Sequence, residues 1–265
     1  MRGPTTRSGS VSAFGPTVVE IGRRSLIRIV RMPSILIPTI VMPVFFVIGF
    51  KGSFEGVTRV EGFPTDNFID WVGPYALVQT AAFAGVGAAG TMATDLDNGF
   101  IDRLLVSPIR RSTIIFGPLA YTAMRSLIPI SLVLLLSIPE GGSLPGGLLG
   151  LFVALIGGMG GALMLGAMGL AVVLRIGHIR AMALVQIVAF AFLFPSIGQV
   201  PLPLLTGWLH AVARVNPATN LIRMTRQGFI GEVTWAETWP GLLVIAVGLA
   251  MFTGWARYEL EQRAP

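Results

Sequence analysis

Cysteine is absent from the 265-residue sequence, and only 12% of the residues are charged. The first absence excludes disulfides, a thiolate nucleophile and cysteine-based zinc sites. The second leaves about half of the charge that a soluble domain carries, which excludes an ordinary cytosolic protein and a disordered chain. The composition is 53% hydrophobic with a mean hydropathy of +0.76, which indicates a polytopic membrane protein. The length allows about six helical spans with their connections.

Lysine is almost absent too: Lys51 is the only one, and the other basic residues behind the net charge of +6 are arginines. On a soluble protein this excess would indicate nucleic acid. Beside membrane spans it indicates contact with anionic lipid headgroups instead. We therefore expect membrane lipid as a partner and no nucleic acid.

The motifs of common enzymes are also missing. The sequence has no G-x-x-x-x-G-K-[ST] motif and no H-E-x-x-H motif, so it has neither a P-loop nor that zinc site. The two histidines, His178 and His210, fall on opposite predicted sides of the membrane and cannot share a metal. We expect no catalytic residue, no metal and no cofactor on this chain. No predicted span carries an acidic residue near its middle, which argues against a proton-coupled transporter.

Long uncharged runs predict an all-α polytopic protein with six spans and both termini on one side. A preceding segment, residues 16–31, alternates apolar and arginine-rich faces and is typical of an amphipathic interfacial helix, although a solvated lead-in would also explain it. Between the last two spans, residues 195–237 are too apolar for a solvated loop and too rich in proline for one span, which favours a re-entrant or interfacial helix pair. The predicted spans cover residues 32–50, 71–94, 112–138, 148–174, 181–200 and 238–256.

The distribution of arginines predicts the orientation. Thirteen basic residues fall on the side of the termini and five on the other side, which places both termini in the cytoplasm of a cell-membrane protein. Arg125 belongs to neither group because it lies within the third span. Such a residue faces a cavity or the bundle interior, or it snorkels to a leaflet boundary, and the sequence leaves both open.

Two inner connections contain most of the remaining polar residues. Residues 95–111 predict a short helix that ends before Pro108, with charged residues (Asp95, Asp97, Asp102 and Arg103) beside apolar ones (Phe100, Leu104 and Leu105). Such a helix suits docking onto a soluble partner, and a connector along the membrane is the equal alternative. The second inner connection runs from Arg175 through His178 to Arg180.

The first inner connection resembles the signature of ABC-2-type permeases, the membrane halves of ATP-binding-cassette exporters, and most closely the branch that includes the daunorubicin-resistance permease DrrB. The second match lies after the fifth span and consists of Pro201-x-Pro203 with Gly207-Trp208-Leu209, then Asn216-Pro217 and Arg226-x-Gly228. Pro118 departs from the family, which often has a basic residue there. The residues that match in the inner connection are Gly99, Asp102, Arg103, Leu104, Pro108 and Arg111, followed by Gly117.

The resemblance implies a function. Two permease chains, identical or homologous, would form the pathway, and two copies of a separate ATPase, which hold ATP and magnesium, would dock on the inner connection at 95–111. The cargo would be an amphipathic drug, lipid or glycolipid. A lipid-linked polysaccharide exporter is the alternative, and an ATP-independent secondary transporter is a further one. The candidates for the pathway or a gate are Arg125, Asn216, Pro217 and Arg226.

Overall fold

The computed structural model describes residues 40–106 and 111–263. Within these ranges the chain is helical and contains no strand, which confirms the all-α fold of a polytopic membrane protein. The predicted amphipathic helix at 16–31, the first part of the first predicted span and Pro108 lie outside the described residues. The helices are α1 (Ile40–Arg59), α2 (Phe68–Asp97), α3 (Phe100–Leu105), α4 (Ser112–Ser137), α5 (Gly147–Ile176), α6 (Ala181–Leu193), α7 (Gly207–Val215), α8 (Pro217–Ile230) and α9 (Trp235–Gln262).

Five of these helices, namely α1, α2, α4, α5 and α9, are long and apolar enough to cross a membrane. The helix α6 has only 13 residues. At 1.5 Å per residue it is about 20 Å long, against about 30 Å for the hydrocarbon core. The prediction of a continuous fifth span over 181–200 is therefore wrong in length, because the helix ends at Leu193. Pro195 follows two residues later, and it has no backbone N–H with which to continue the hydrogen bonds of the helix.

The centre of the bundle is formed by α2 and α5. Most residues of α2 are buried, and α5 packs against α2, α4, α6, α8 and α9. The two central helices can approach closely because a glycine of α2 faces the backbone of α5. A Cβ added to Gly85 of α2 would fall on the carbonyl oxygen of Ala162 in α5. The small residues of these spans are therefore explained by close helix packing.

The helix ends meet in two layers. At one end, which we call the arginine-rich end, lie the end of α2, the start of α4, the end of α5 and the end of α9, together with Arg111, Arg175 and Arg263. At the opposite end, the Asn67 side chain caps α2 and donates to the carbonyl of Gly141 at 2.7 Å. There Lys51 also pairs with Glu140 at 3.1 Å. The connections alternate between the two layers because consecutive spans run antiparallel.

One face of α9 is apolar and exposed. Its members recur every three or four residues, which is one side of a helix, and in a membrane this face contacts lipid or another chain. The helix continues past the predicted limits of 238–256 at both ends, since Trp235 and Gln262 are its bounds. The large exposed residues of this face are Trp235, Trp239, Leu243, Val247, Met251, Trp255 and Tyr258.

Candidate functional site

The first inner connection is built by a turn at Gly99. The helix α2 continues to Asp97, so Asp95 and Asp97 lie in its last turn rather than in the short helix. Gly99 then has a φ of 63°, in the left-handed region that glycine adopts without strain, and α3 starts directly after it. The predicted short helix is present over Phe100–Leu105, and its position is set by this reversal of the chain.

The apolar side of α3 faces the protein itself. Ile101 is 3% exposed, and Phe100, Leu104 and Leu105 are partly buried against the same core as α2 and α4. The apolar residues of the predicted helix, Phe100, Leu104 and Leu105, therefore face the protein's own core in part. The exposed residues of α3 are Asp102 and Arg103, and Val106 follows them with 75% of its surface exposed. A soluble partner would therefore meet the charged side of this helix.

The second inner connection begins at a glycine cap. Gly177 has a φ of 90°, and its backbone N–H donates to the carbonyl of Val173, which ends α5. The backbone N–H of Ile179 then donates to the Asp97 carboxylate, with an N–O distance of 3.4 Å. His178 and Arg180 are exposed beside it. The two inner connections, which the sequence predicted separately, are thus in direct contact through Asp97.

A polar cluster that the sequence did not predict joins α5 to α9. Arg175 pairs with Glu259 at 3.5 Å, and the Trp255 indole N–H donates to the same carboxylate at 2.9 Å. Arg263 donates to the carbonyl of Leu174 at 2.6 Å. The Arg175 side chain is 67% exposed and that of Glu259 only 7%, so the ion pair itself adds little stability and the buried carboxylate depends on its hydrogen bond.

Arg111 lies at the start of α4, beside the end of α9. A polar cavity of about 390 Å³ separates it from Arg257 and Glu261, which form an ion pair of 2.8 Å within α9. Arg111 is exposed. This charged pocket therefore lies at the arginine-rich end, between α4 and α9.

Asn216 has a structural role between α6 and α8. Its side-chain amide donates to the carbonyls of Phe192 at 2.8 Å and Pro195 at 2.9 Å, which gives two carbonyls at the end of α6 a hydrogen-bond partner. Its side-chain oxygen accepts from the N–H of Ala218 at 2.9 Å and caps α8, and Pro217 occupies the first position of that helix. Both predicted gate residues, Asn216 and Pro217, therefore set the turn between α7 and α8.

Arg226 is fully buried in α8. Its Nε donates to the carbonyl of Trp71 at 3.0 Å, and its terminal nitrogen donates to the carbonyl of Gly198 at 2.8 Å. The guanidinium carbon lies 3.5 Å from the centre of the Trp71 ring. This residue connects α2, α8 and the segment after α6, so its contacts are those of a structural residue rather than of an exposed gate.

Arg125 lies near the middle of α4 and is only 7% exposed. Its guanidinium packs against Gly87 of α2, where an added Cβ would collide with it. This burial excludes the snorkelling alternative and places the cation inside the bundle.

An apolar groove of about 370 Å³ also opens between α5, α6 and α9, and its lining includes Met164, Met168, Phe192 and Met251.

The described ranges, 40–106 and 111–263, contain no group of three or more acidic, histidine or cysteine side chains arranged to hold a metal.

The comparison with known families decides the identity. The sequence profile of the ABC-2 type transporter matches residues 17–230 of this chain. The chain belongs to the ABC-2 type transporter family. This match confirms the resemblance that the inner connection and the Asn216-Pro217 turn indicated.

Two kinds of relatives of this ABC-2 chain are named as permeases. It is 26% identical over 229 residues to the putative transport permease ycf38 of Cyanophora paradoxa, covering 83% of this chain and 77% of the relative. It is 28% identical over 209 residues to the ycf38 protein of Porphyra purpurea, covering 77% and 70%. It is also 23% identical over 249 residues to the daunorubicin resistance ABC transporter permease protein DrrB1 of Streptomyces coeruleorubidus, covering 92% and 84%. The similarity thus extends over most of each chain.

Proposed function

We propose that this ABC-2 chain is the membrane-spanning subunit of an ATP-binding-cassette exporter that moves an amphipathic drug, lipid or glycolipid out of the cell. The name of the relative DrrB1 supports drug export. The apolar groove between α5, α6 and α9 supports a cargo with a hydrocarbon part. A lipid-linked polysaccharide is the second candidate cargo, and the ATP-independent transporter is disfavoured by the family.

Energy would come from a partner. The sequence has no P-loop, so two copies of a separate ATPase would hold ATP and magnesium, and a second permease chain, identical or homologous, would complete the pathway. Both termini and the arginine-rich end would face the cytoplasm of the cell membrane, in line with the excess of arginine there.

The observation that carries this proposal is the exposed, charged side of α3, the short helix of the first inner connection. The exposed Asp102 and Arg103 present charge to a soluble partner, while Ile101 fixes the other side of α3 on the core. Charged residues at the rim of an interface set orientation and the rate of association. The ATPase would therefore contact α3 through its charged side.

A displacement of α3 would reach several spans. Its apolar side packs on the core shared by α2 and α4, and the Asp97 carboxylate joins the end of α2 to the connection between α5 and α6. Arg175 and Glu259 continue this path to α9. A movement of the ATPase surface would thus be transmitted to five helices rather than to one.

The test is co-purification of each variant with the co-expressed ATPase, followed by ATP-dependent transport in vesicles. Asp102→Ala and Arg103→Ala should weaken retention of the ATPase and lower transport in parallel, because both side chains are exposed on α3. The matched control is Glu232→Ala, which removes an exposed acid after α8, in the opposite layer. If the Asp102/Arg103 double variant holds the ATPase and transports like the wild type, α3 is only a connector.

A further inference from the structure

Arg125 is a buried cation that pairs with no acidic side chain in residues 40–106 and 111–263. Among the described residues, no carboxylate lies within ion-pair distance of it, and its guanidinium makes no hydrogen bond. Its Nε is sealed from solvent without a partner. The nearest favourable group is the ring of Tyr121, one turn earlier in α4, with its centre 6.0 Å from the guanidinium carbon. At that distance a cation–π contact is at the limit of its range.

The other buried arginine shows what a purely structural role looks like. Arg226 uses two of its nitrogens on backbone carbonyls and stacks directly on Trp71. Arg125 has none of these contacts, although it lies at the depth where an unpaired charge is most costly. Removing an arginine from water without hydrogen bonds or an opposite charge costs several kcal/mol, on the order of the stability of a whole domain. Packing alone therefore does not account for this residue.

In the part of the chain that the structure describes, the groups around Arg125 do not neutralise its charge. Gly87 has no side chain, and a Cβ there would occupy the space of the guanidinium. One turn further along α4, Pro129 lacks a backbone N–H, so the carbonyl of Arg125 lacks its usual partner within the helix. The described acidic residues of α2 and α9, such as Asp70 and Glu259, lie near helix ends and cannot supply the charge.

We propose that Arg125 binds the acidic headgroup of the transported amphiphile, so that the cargo carries a phosphate or carboxylate. This assignment rests on the proposed export function and specifies its cargo. A guanidinium offers paired N–H donors that match the oxygens of such a group, and these bonds are strongest where water is excluded. The hydrocarbon part of the same molecule would remain among the apolar helices. A cationic cargo would be repelled at this position.

The first test measures binding to the purified permease in detergent. The probes are fluorescently labelled phosphatidylglycerol and phosphatidylcholine with the same acyl chains. The wild type should bind phosphatidylglycerol about tenfold more tightly or better, because phosphatidylcholine pairs its phosphate with a quaternary ammonium, which the Arg125 cation repels. Arg125→Gln should abolish this preference, and Arg125→Lys should retain part of it. Arg59→Gln, which removes an exposed arginine at the end of α1, is the matched control and should keep it.

A second variant covers the case in which Arg125→Gln fails to fold. Gly87→Ala keeps the charge but displaces the guanidinium, so it should also reduce the preference for phosphatidylglycerol. Equal binding of phosphatidylglycerol by wild type, Gly87→Ala and Arg125→Lys would overturn the proposal. Inorganic phosphate is added as a competitor: displacement of the lipid at millimolar phosphate would identify a free anion site and equally overturn it.

Transport in vesicles with the partner ATPase separates this proposal from the proposed function. ATP-dependent movement of phosphatidylglycerol that is lost in Arg125→Gln supports both. Movement of phosphatidylcholine or of a cationic amphiphile, with phosphatidylglycerol left in place, would contradict the acidic cargo and leave export intact. If no probe moves while the binding preference depends on Arg125, the export function is contradicted and the anion site stands.

Discussion

The guanidinium of Arg226 lies over the indole of Trp71, with 3.5 Å between the guanidinium carbon and the ring centre. Two further bonds, to the carbonyls of Trp71 and Gly198, hold the same group in place. Three segments that are distant in the sequence therefore depend on one side chain. The family signature at this position is explained by the packing of α2 and α8 and requires no movement of Arg226.

Arg226→Gln should destabilise the protein by about 3 kcal/mol or more, because each hydrogen bond from a buried charged group contributes about 1.5–3 kcal/mol. The measurement is the apparent melting temperature in detergent, followed by size-exclusion chromatography. Arg223→Gln, one turn earlier and only half-buried, is the control and should melt close to the wild type. A normal melting temperature combined with a selective loss of transport would instead make Arg226 a gate.

Gly228→Ala should disrupt the crossing of α5 and α8. A Cβ at Gly228 would fall on the backbone of Gly150, which cannot move aside as a flexible side chain can. Overpacking of this kind costs about 1–3 kcal/mol. The control is Gly254→Ala in α9, where nothing lies within 4 Å of the added Cβ and helix propensity favours alanine. The melting temperature should fall for the first variant and stay level or rise for the second; the reverse order would contradict the close approach of α5 and α8.

Asp97→Ala should loosen the connection between α5 and α6. The carboxylate of Asp97 accepts the N–H of Ile179, so its removal exposes that amide to exchange. Hydrogen exchange of a peptide that covers residues 177–180 should become faster. Asp102→Ala, which removes an exposed acid from α3, should leave this exchange rate unchanged. Equal protection in Asp97→Ala would show that the two inner connections are independent.

The purified chain should hydrolyse no ATP, because it has no nucleotide-binding motif. Hydrolysis should appear only when the partner ATPase is added. The check is a phosphate-release assay in parallel with a sample whose ATPase partner carries an inactivating substitution. Turnover by the isolated chain after removal of contaminating ATPases would contradict the division of labour.

The helical spans are largely predictable from the sequence, and the reason is the lack of charge within them. The prediction of 148–174 differs from α5, Gly147–Ile176, by a few residues, because Gly177 ends an uninterrupted apolar run. The fifth span was predicted too long because residues 194–200 carry no charge. Its end is set by Pro195 and by the Asn216 amide, and the latter contact joins residues that are distant in the chain.

The candidate site is less predictable. The pattern of α3 shows that it has two faces, but a pattern does not say whether the apolar face meets a partner or the protein's own core. Ile101 and Phe100 pack inward because the turn at Gly99 returns the chain to α2 and α4. The contact of Glu259 with Arg175 was missed for a related reason: an acid near a helix end resembles an ordinary solvated residue until its neighbour in α5 is known.

The Asn216 side chain has a mechanical consequence. Because one amide closes the end of α6 and also starts α8, neither helix can rotate or slide alone without leaving backbone groups unpaired inside the protein. The two helices therefore have to move together as one rigid unit during any conformational change. Bending would then be confined to the two ends of this unit, where glycine occurs: Gly177 before α6, with its φ of 90°, and Gly231 after α8.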